Sequence, residues 1–228
     1  MKKYAKSVIA VLVFFLSMAM LSSQSITTAS EYFKSISEYY ATLKDYEADF
    51  DIRADKKDMA GRVSYKKPDL LRMDFTSPEN QVIVFNGDML TIYLPDESAV
   101  LQQSIKSESS GSNAANLNTA QGLSLLSRYY VVAYEVGQEP VLLEESSSEK
   151  VVKLILSRRN SSESFRYIKI AINAETKLIR RVEAVTSHGE SFLFNFTGYK
   201  INSDLSDQRF IYDPPSSANN YNNFLFSE

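Results

Sequence analysis

The chain has 228 residues, a formal net charge of −3, and no cysteine or tryptophan. That length suits one domain with a substantial core, and the slight acidic excess argues against a nucleic-acid binder, which would present a basic face. Without cysteine there is no disulfide, no thiolate zinc site, no Cys nucleophile and no acylated cysteine to anchor the chain as a lipoprotein.

Residues 1–25 read as a secretory signal peptide. MKKYAK carries positive charge, SVIAVLVFFLSMAML is apolar, and SSQS supplies small residues, with Ser23 and Ser25 suited to the −3 and −1 positions of a cleavage site near Ser25. The apolar run falls short of the roughly 20 residues a membrane span needs. Residues 26–228 are expected to form a single exported domain.

ITTASEYFKSISEYYATLKD, residues 26–45, predicts a helix. Thr28 or Ser30 caps it, and Tyr32, Phe33, Ile36, Tyr39, Tyr40 and Leu43 recur at helical spacing. In YEADFDIR, Tyr46, Ala48, Phe50 and Ile52 alternate with Glu47, Asp49, Asp51 and Arg53, predicting a strand with one wet and one buried face. GRVSYKK is a second alternating strand, broken by Pro68. In the third, Leu71, Met73 and Phe75 share one side while Arg72 and Asp74 take the other. SPEN turns the chain into QVIVF, which carries Ile83 and Phe85, and Asn86-Gly87-Asp88 is a hairpin signal. MLTIYL returns, PDES turns again, and AVLQQSI runs out. These short connections predict an antiparallel meander, not βαβ units.

KSESSGSNAAN, residues 106–116, is polar and reads as a mobile loop. LNTAQGLSLLSRYY predicts a short helix carrying Leu117, Leu123, Leu125 and Leu126, weakened by Gly122. Strands follow over VVAYEV, PVLLEE, VVKLILSRR, FRYIKIAI, LIRRVEAV and SFLFNFTGYKI, the last with Phe192, Phe194 and Phe196 on one side. The chain therefore reads as mainly β (α+β), with about eleven strands, an N-terminal helix and a short inserted helix. A sheet this wide must curl or close. Its concave face then needs filling, by helices or by a ligand.

Little in the sequence carries chemistry. His188, the single histidine, falls in the turn SHGE, where an exposed polar residue is the default. No G-x-S-x-G elbow accompanies it, and the seven glycines form no phosphate loop. Asp49 and Asp51 share the polar face of a strand and, like Glu144 and Glu145, read as solvated surface, not as the facing pair of a glycosidase. Asn160-Ser-Ser and Asn195-Phe-Thr match the glycosylation pattern, which is frequent by chance. Neither catalysis nor a cofactor is expected.

One segment is distinctive. Gly61 leads a strand into Lys67-Pro68. An apolar strand from Leu71 to Phe75 runs to Pro78, Val82 to Phe85 follow, Asn86-Gly87 turns, and Leu90 to Asp96 close the run. This order resembles the hallmark segment of the LolA family, periplasmic carriers of outer-membrane lipoproteins. The likeness extends to the N-terminal helix, the inserted helix, and Phe210-Ile-Tyr212-Asp-Pro214-Pro215 near the end.

What the resemblance implies is a strongly curved antiparallel sheet forming an incomplete barrel under a helical lid, in a monomer of the periplasm. The cavity between sheet and lid would take the acyl chains of a lipoprotein released by an inner-membrane ABC transporter. The carrier would pass that cargo to an outer-membrane acceptor and touch membrane surfaces only in passing. Phe50, Ile52, Leu71, Met73, Phe75, Ile83, Phe85, Phe192, Phe194 and Phe196 become candidates for the cavity wall, and Leu117, Leu123 and Leu126 for the lid. Lys67 stands where the family has a basic residue that bonds to lid backbone and keeps the empty carrier shut. The family carries Arg there; lysine brings three donors on a flexible stem in place of five in a fixed fork. Strand parity alone does not separate a cavity wall from a filled core. A periplasmic lipid or glycolipid carrier and a LolA-like sensor of mislocalised lipoproteins are the alternative readings.

Overall fold

The computed structural model describes residues 26–54, 57–105 and 120–224. Residues 1–25, expected to be a signal peptide, the polar stretch 106–116 and Leu117 lie outside the described residues. Helix α1 (Ala29–Thr42) starts where the sequence places a cap: Thr28 Oγ1 accepts from Glu31 N at 3.2 Å, and Glu31 Oε2 accepts from Thr28 N at 3.0 Å. Two orphan N–H groups at the start of the helix are so satisfied, and the bonds that Thr28 N and Thr28 Oγ1 donate to Glu31 Oε2 hold the Glu31 carboxyl below its usual range.

The first half of the sheet is a meander of β1 (Asp45–Ala54), β2 (Lys57–Lys66), β3 (Leu70–Ser77), β4 (Val82–Phe85), β5 (Met89–Leu94) and β6 (Ala99–Ser104). Helix α2 (Ala120–Tyr129) then passes without a loop into β7 (Tyr130–Tyr134). The second half adds β8 (Val141–Leu142), β9 (Lys150–Arg158), β10 (Phe165–Asn173), β11 (Ile179–Thr186) and β12 (Ser191–Ile201), and β13 (Asn219–Asn222) ends the series.

All thirteen strands of the described residues belong to one sheet, ordered β13-β6-β5-β4-β3-β2-β1-β12-β11-β10-β9-β7, with β8 also on β9. The first strand of the chain pairs with the twelfth, which joins the two meanders, and the sheet stays unclosed. The fold class is as expected, with two differences. PVLLEE pairs only at Val141 and Leu142, because Ser147 N returns to Glu144 O at 3.0 Å and turns the chain away. β13, which has no apolar alternation to reveal it, adds parallel to β6.

The outer face of the first meander has its own cover. Arg72 Nη1 donates to Arg209 O at 3.0 Å, Arg209 Nη2 reaches Asp74 Oδ2 at 2.8 Å, and Lys66 Nζ reaches Leu205 O at 2.6 Å. The buried Asp45 carboxylate accepts from Ser203 N and Asp204 N. These ties strap residues 203–211 across the sheet. Phe210 is buried, as are Val82, Val84 and Val100 on the outer face. The main core lies on the opposite, helix-covered face.

Candidate functional site

The strand pairing brings all ten wall candidates to that inner face. Phe196 stands opposite Phe50, Phe194 opposite Ile52, and Phe192 opposite Ala54. Phe50 stands opposite Gly61, and Gly61 opposite Phe75. Leu71 pairs with Phe85 and Met73 with Ile83. Because side chains on one face repeat every two residues, this register makes one apolar wall from β12 to β4. Phe50, Ile52, Leu71, Phe75, Phe85 and Phe196 are buried, whereas Met73, Ile83, Phe192 and Phe194 are half-buried.

Gly61 shows how tightly the wall is built. A Cβ added there would lie 2.2 Å from Asp74 O and 2.8 Å from the Phe50 ring. The missing side chain lets the Phe50 ring cross β2 and meet Phe75 edge-on, with centroids 5.0 Å apart. Such a pair adds about 0.5–1.5 kcal/mol to its area burial.

Two helices lie on this wall. α1 buries Phe33, Ile36 and Tyr40, α2 buries Leu123 and Leu126, and these side chains join Phe50, Phe75 and Phe85 in one cluster. Beneath the helices the wall is therefore met by helix side chains. Pockets among the described residues lie on the outer face and at the end of α1. One, of about 150 Å³, is on the outer face and is lined by Glu135, Lys153, Lys169, Arg181 and Glu183. The other, of about 490 Å³, is a groove at the last turn of α1, lined by Tyr39, Leu178, Tyr199 and Ile201 with Glu175, Thr176 and Lys177.

α1 is held at both ends. Tyr134 OH donates to Thr27 O at 2.9 Å, and the Tyr40 hydroxyl accepts from Ile179 N at 2.9 Å. Tyr199 OH donates to Ile179 O at 2.8 Å. Tyr46 sits between Tyr40, Tyr65 and Tyr199, with ring centroids 6.2, 5.3 and 5.8 Å away. Burial pushes the hydroxyls of Tyr46 and Tyr199 well above the ordinary tyrosine range and that of Tyr40 to about 12. This cluster escapes a reading by strand period. Its signal is compositional: fourteen tyrosines, with a Tyr39-Tyr40 pair ending one helix and Tyr46 opening the next strand.

Lys67 is exposed, at the turn after β2, and its Nζ donates to Ala41 O in the last turn of α1. That turn has no basic residue of its own. Its orphan carbonyls and the negative end of the helix dipole both favour a cation there. The bond goes to α1, not α2. Leu123 and Leu126 face the cluster as the spacing predicts.

The discounted residues lie elsewhere. His188 is exposed in the β11–β12 turn beside Ser187. On the outer face, Asp49 pairs with Arg62 at 2.8 Å and Asp51 accepts from Asn195 Nδ2 at 2.8 Å.

Residues 41–213 match the family described as outer membrane lipoprotein carrier protein LolA. The outer-membrane lipoprotein carrier protein of Coxiella burnetii is 26% identical over 154 residues, 68% of this chain and 66% of the relative. The matched region thus spans just under two thirds of that relative's length. The same-named protein of Neisseria meningitidis is 24% identical over 169 residues, 73% of this chain and 74% of its own. Among solved structures, an uncharacterized conserved protein from Thermus thermophilus is similar at a TM-score of 0.57 and 14% identity, over 85% of this chain and 98% of that one. The MucA/MucB complex of Pseudomonas aeruginosa is similar at 0.52 and 11%, over 84% and 62%. At these identities the two structures show a shared fold.

Proposed function

Because the chain belongs to the LolA family of outer membrane lipoprotein carrier proteins, we propose that it holds the acyl chains of lipoproteins against the inner face of its sheet. In this reading it takes cargo in the periplasm from an inner-membrane ABC transporter and delivers it to an acceptor at the outer membrane. The single observation that carries the reading is the unbroken apolar register from Phe192, Phe194 and Phe196 through Phe50 to Phe75 and Phe85. An antiparallel sheet packed on one side buries apolar residues on that face and turns polar ones to the other. Here the half-buried Met73, Ile83 and Phe194 continue the apolar face.

Energetics support a binding wall that exchanges its cover for cargo. At about 0.8 kcal/mol per methylene, an acyl chain of roughly fourteen carbons contributes about 11 kcal/mol when fully enclosed. Leu123 and Leu126 of α2 bury the equivalent of about 3–6 kcal/mol between them. An entering chain therefore outweighs the leucines it replaces, and the returning helix offsets part of its affinity on release. The groove beyond α1 falls within the roughly 300–1,000 Å³ range of small-ligand sites and ends on the same face, so it supplies a point of entry. Apolar walls read no sequence, which suits varied cargo. No cofactor enters this scheme.

The test is binding of a diacylated peptide and its unacylated twin, followed by titration calorimetry. Selective binding of the acylated form at equal ratio is expected. Equal affinity for both, or binding of neither, would sink the carrier reading. Recovery of free glycolipids in place of acylated polypeptides from the native envelope would move the assignment to a glycolipid carrier.

A further inference from the structure

We propose that the corner formed by the end of α2, the start of β7 and the β9–β10 hairpin docks on an anionic lipid bilayer. Its arginines meet the headgroup phosphates, and Tyr129 and Val131 settle at the edge of the acyl region. This goes beyond the carrier reading and does not rest on it, since it concerns the surface on which the protein lands and not what it holds.

Arginine pairing singles out the corner. Of the ten arginines in the chain, six hold a carboxylate. Among the described residues Arg128, Arg158, Arg159 and Arg166 hold none, and the fold brings these four together. Arg128 lies in the last turn of α2. Arg159 N donates to Tyr129 O at 3.0 Å, and Arg158 stands opposite Tyr130. Tyr167 stands opposite Ser157, which puts Arg166 beside Arg158 on the next rung. Like charges facing each other across two strands are destabilising. The fold therefore gathers positive charge here at a cost that a bound anion relieves. Glu163, in the connecting turn, is the one acid in residues 158–166. Residues 106–119, which lead into the far end of α2, carry one base and one acid, Lys106 and Glu108. The charge of the corner does not turn on where they lie.

The rest of the molecule is acidic. The net charge is −3 with these four arginines counted, and with Lys2, Lys3 and Lys6 of the expected signal peptide counted too. An anionic surface repels most of such a protein and attracts this corner, which selects one orientation. Two features favour a bilayer over an acidic protein. First, the guanidinium groups come from a helix end, a turn and two strand ends, and neither pocket described above is lined by them. Charge spread in this way suits a fluid array of phosphates. Second, Tyr129 is 39% exposed and Val131 48%. A ring with a polar tip and an aliphatic side chain, flanked by long cations, are the side chains that settle at headgroup level.

Co-sedimentation of the purified exported protein with vesicles tests the inference. At low salt it should bind vesicles of phosphatidylglycerol and phosphatidylcholine in equal parts, and not vesicles of phosphatidylcholine alone. Added salt should weaken the binding by screening. Arg159→Gln and Arg166→Gln should each lower affinity about fivefold, and the two together about twenty-fivefold. Both arginines are exposed and without an ion-pair partner, so Tm should stay unchanged. Arg159→Lys with Arg166→Lys keeps the charge and should keep the binding. Absence of binding at low salt, equal binding to both kinds of vesicle, or binding untouched by the double Gln variant overturns the proposal. So does a double Lys variant as weak as the double Gln one, which would mark a fitted acceptor in place of a fluid surface. An acidic protein of the native envelope that binds wild type and not the double Gln variant, with no vesicle binding, would give the corner to a protein and overturn it equally. No acylated peptide enters these measurements, so failure here leaves the carrier reading standing.

Discussion

α1 and α2 cover the same wall, yet they are held to it by different forces. α1 has directional ties along its length: Tyr134 to Thr27 O, Ile179 N to Tyr40, and Lys67 to Ala41 O. Among the described residues, the buried side chains of α2 are Leu123 and Leu126, and the carbonyl of its last residue, Tyr129, accepts from Arg159 N. A hydrogen bond is satisfied by one partner in one direction, whereas a leucine contact is replaceable by any apolar group of similar area. Under the proposed carrier function, this contrast makes α1 the frame of the binding face and α2 its exchangeable cover.

The strongest way to break that division is to truncate one buried side chain in each helix. Phe33→Ala removes an almost fully buried ring from α1 and is expected to cost about 3–5 kcal/mol, read as a drop in the Tm of the whole chain. Leu123→Ala loses a similar class of contact, about 2–5 kcal/mol. In that variant amide exchange should rise first in residues 120–129, with the sheet still protected. Equal global destabilisation by both variants would make α2 part of the frame.

A smaller effect sharpens the role of the ties. Tyr40→Phe keeps the ring and leaves the buried Ile179 N–H without its acceptor, a loss of about 1–3 kcal/mol. Acylated-peptide affinity should change little. The Tyr40 hydroxyl, raised by burial to about 12, adds a pH dependence of known sign. Its contribution is complete below the unfolded value near 10 and is lost as pH rises through about 12. Circular dichroism across that window should show wild type losing stability there, with Tyr40→Phe less sensitive.

Period-2 patterning explains why so much of the wall was readable from sequence. Phe50, Leu71, Phe75 and Phe196 reach one face because parity fixes the face once the strands pair. Gly61 was visible as the head of a strand, and its reason, the crossing of the Phe50 ring, needs the neighbouring strands in place. Contacts between residues far apart in the chain left no local pattern. Arg209 meets Asp74 at a sequence separation of 135, and Tyr40 meets Ile179 at one of 139. β13 was hidden for another reason: an Asn-rich edge strand gains its order from main-chain pairing with β6, which side-chain alternation does not report.

The smallest expected effect concerns Lys67, where a basic latch was implied by resemblance and the bond is to α1. A cation at an exposed helix C-terminus contributes about 0.3–1 kcal/mol. Lys67→Met should therefore lower Tm slightly and fray the last turn of α1, where Ala41 O would be left to water. If α1 is frame and α2 is cover, the exchange rate of acylated peptide should stay within about twofold of wild type, since 0.4 kcal/mol corresponds to about a factor of two. Lys67→Arg restores a cation in the same place and should recover the stability. A large acceleration of exchange in Lys67→Met, reversed in Lys67→Arg, would show instead that α1 opens during loading. The groove at its last turn, between Tyr39 and Ile201, would then be the seam that widens.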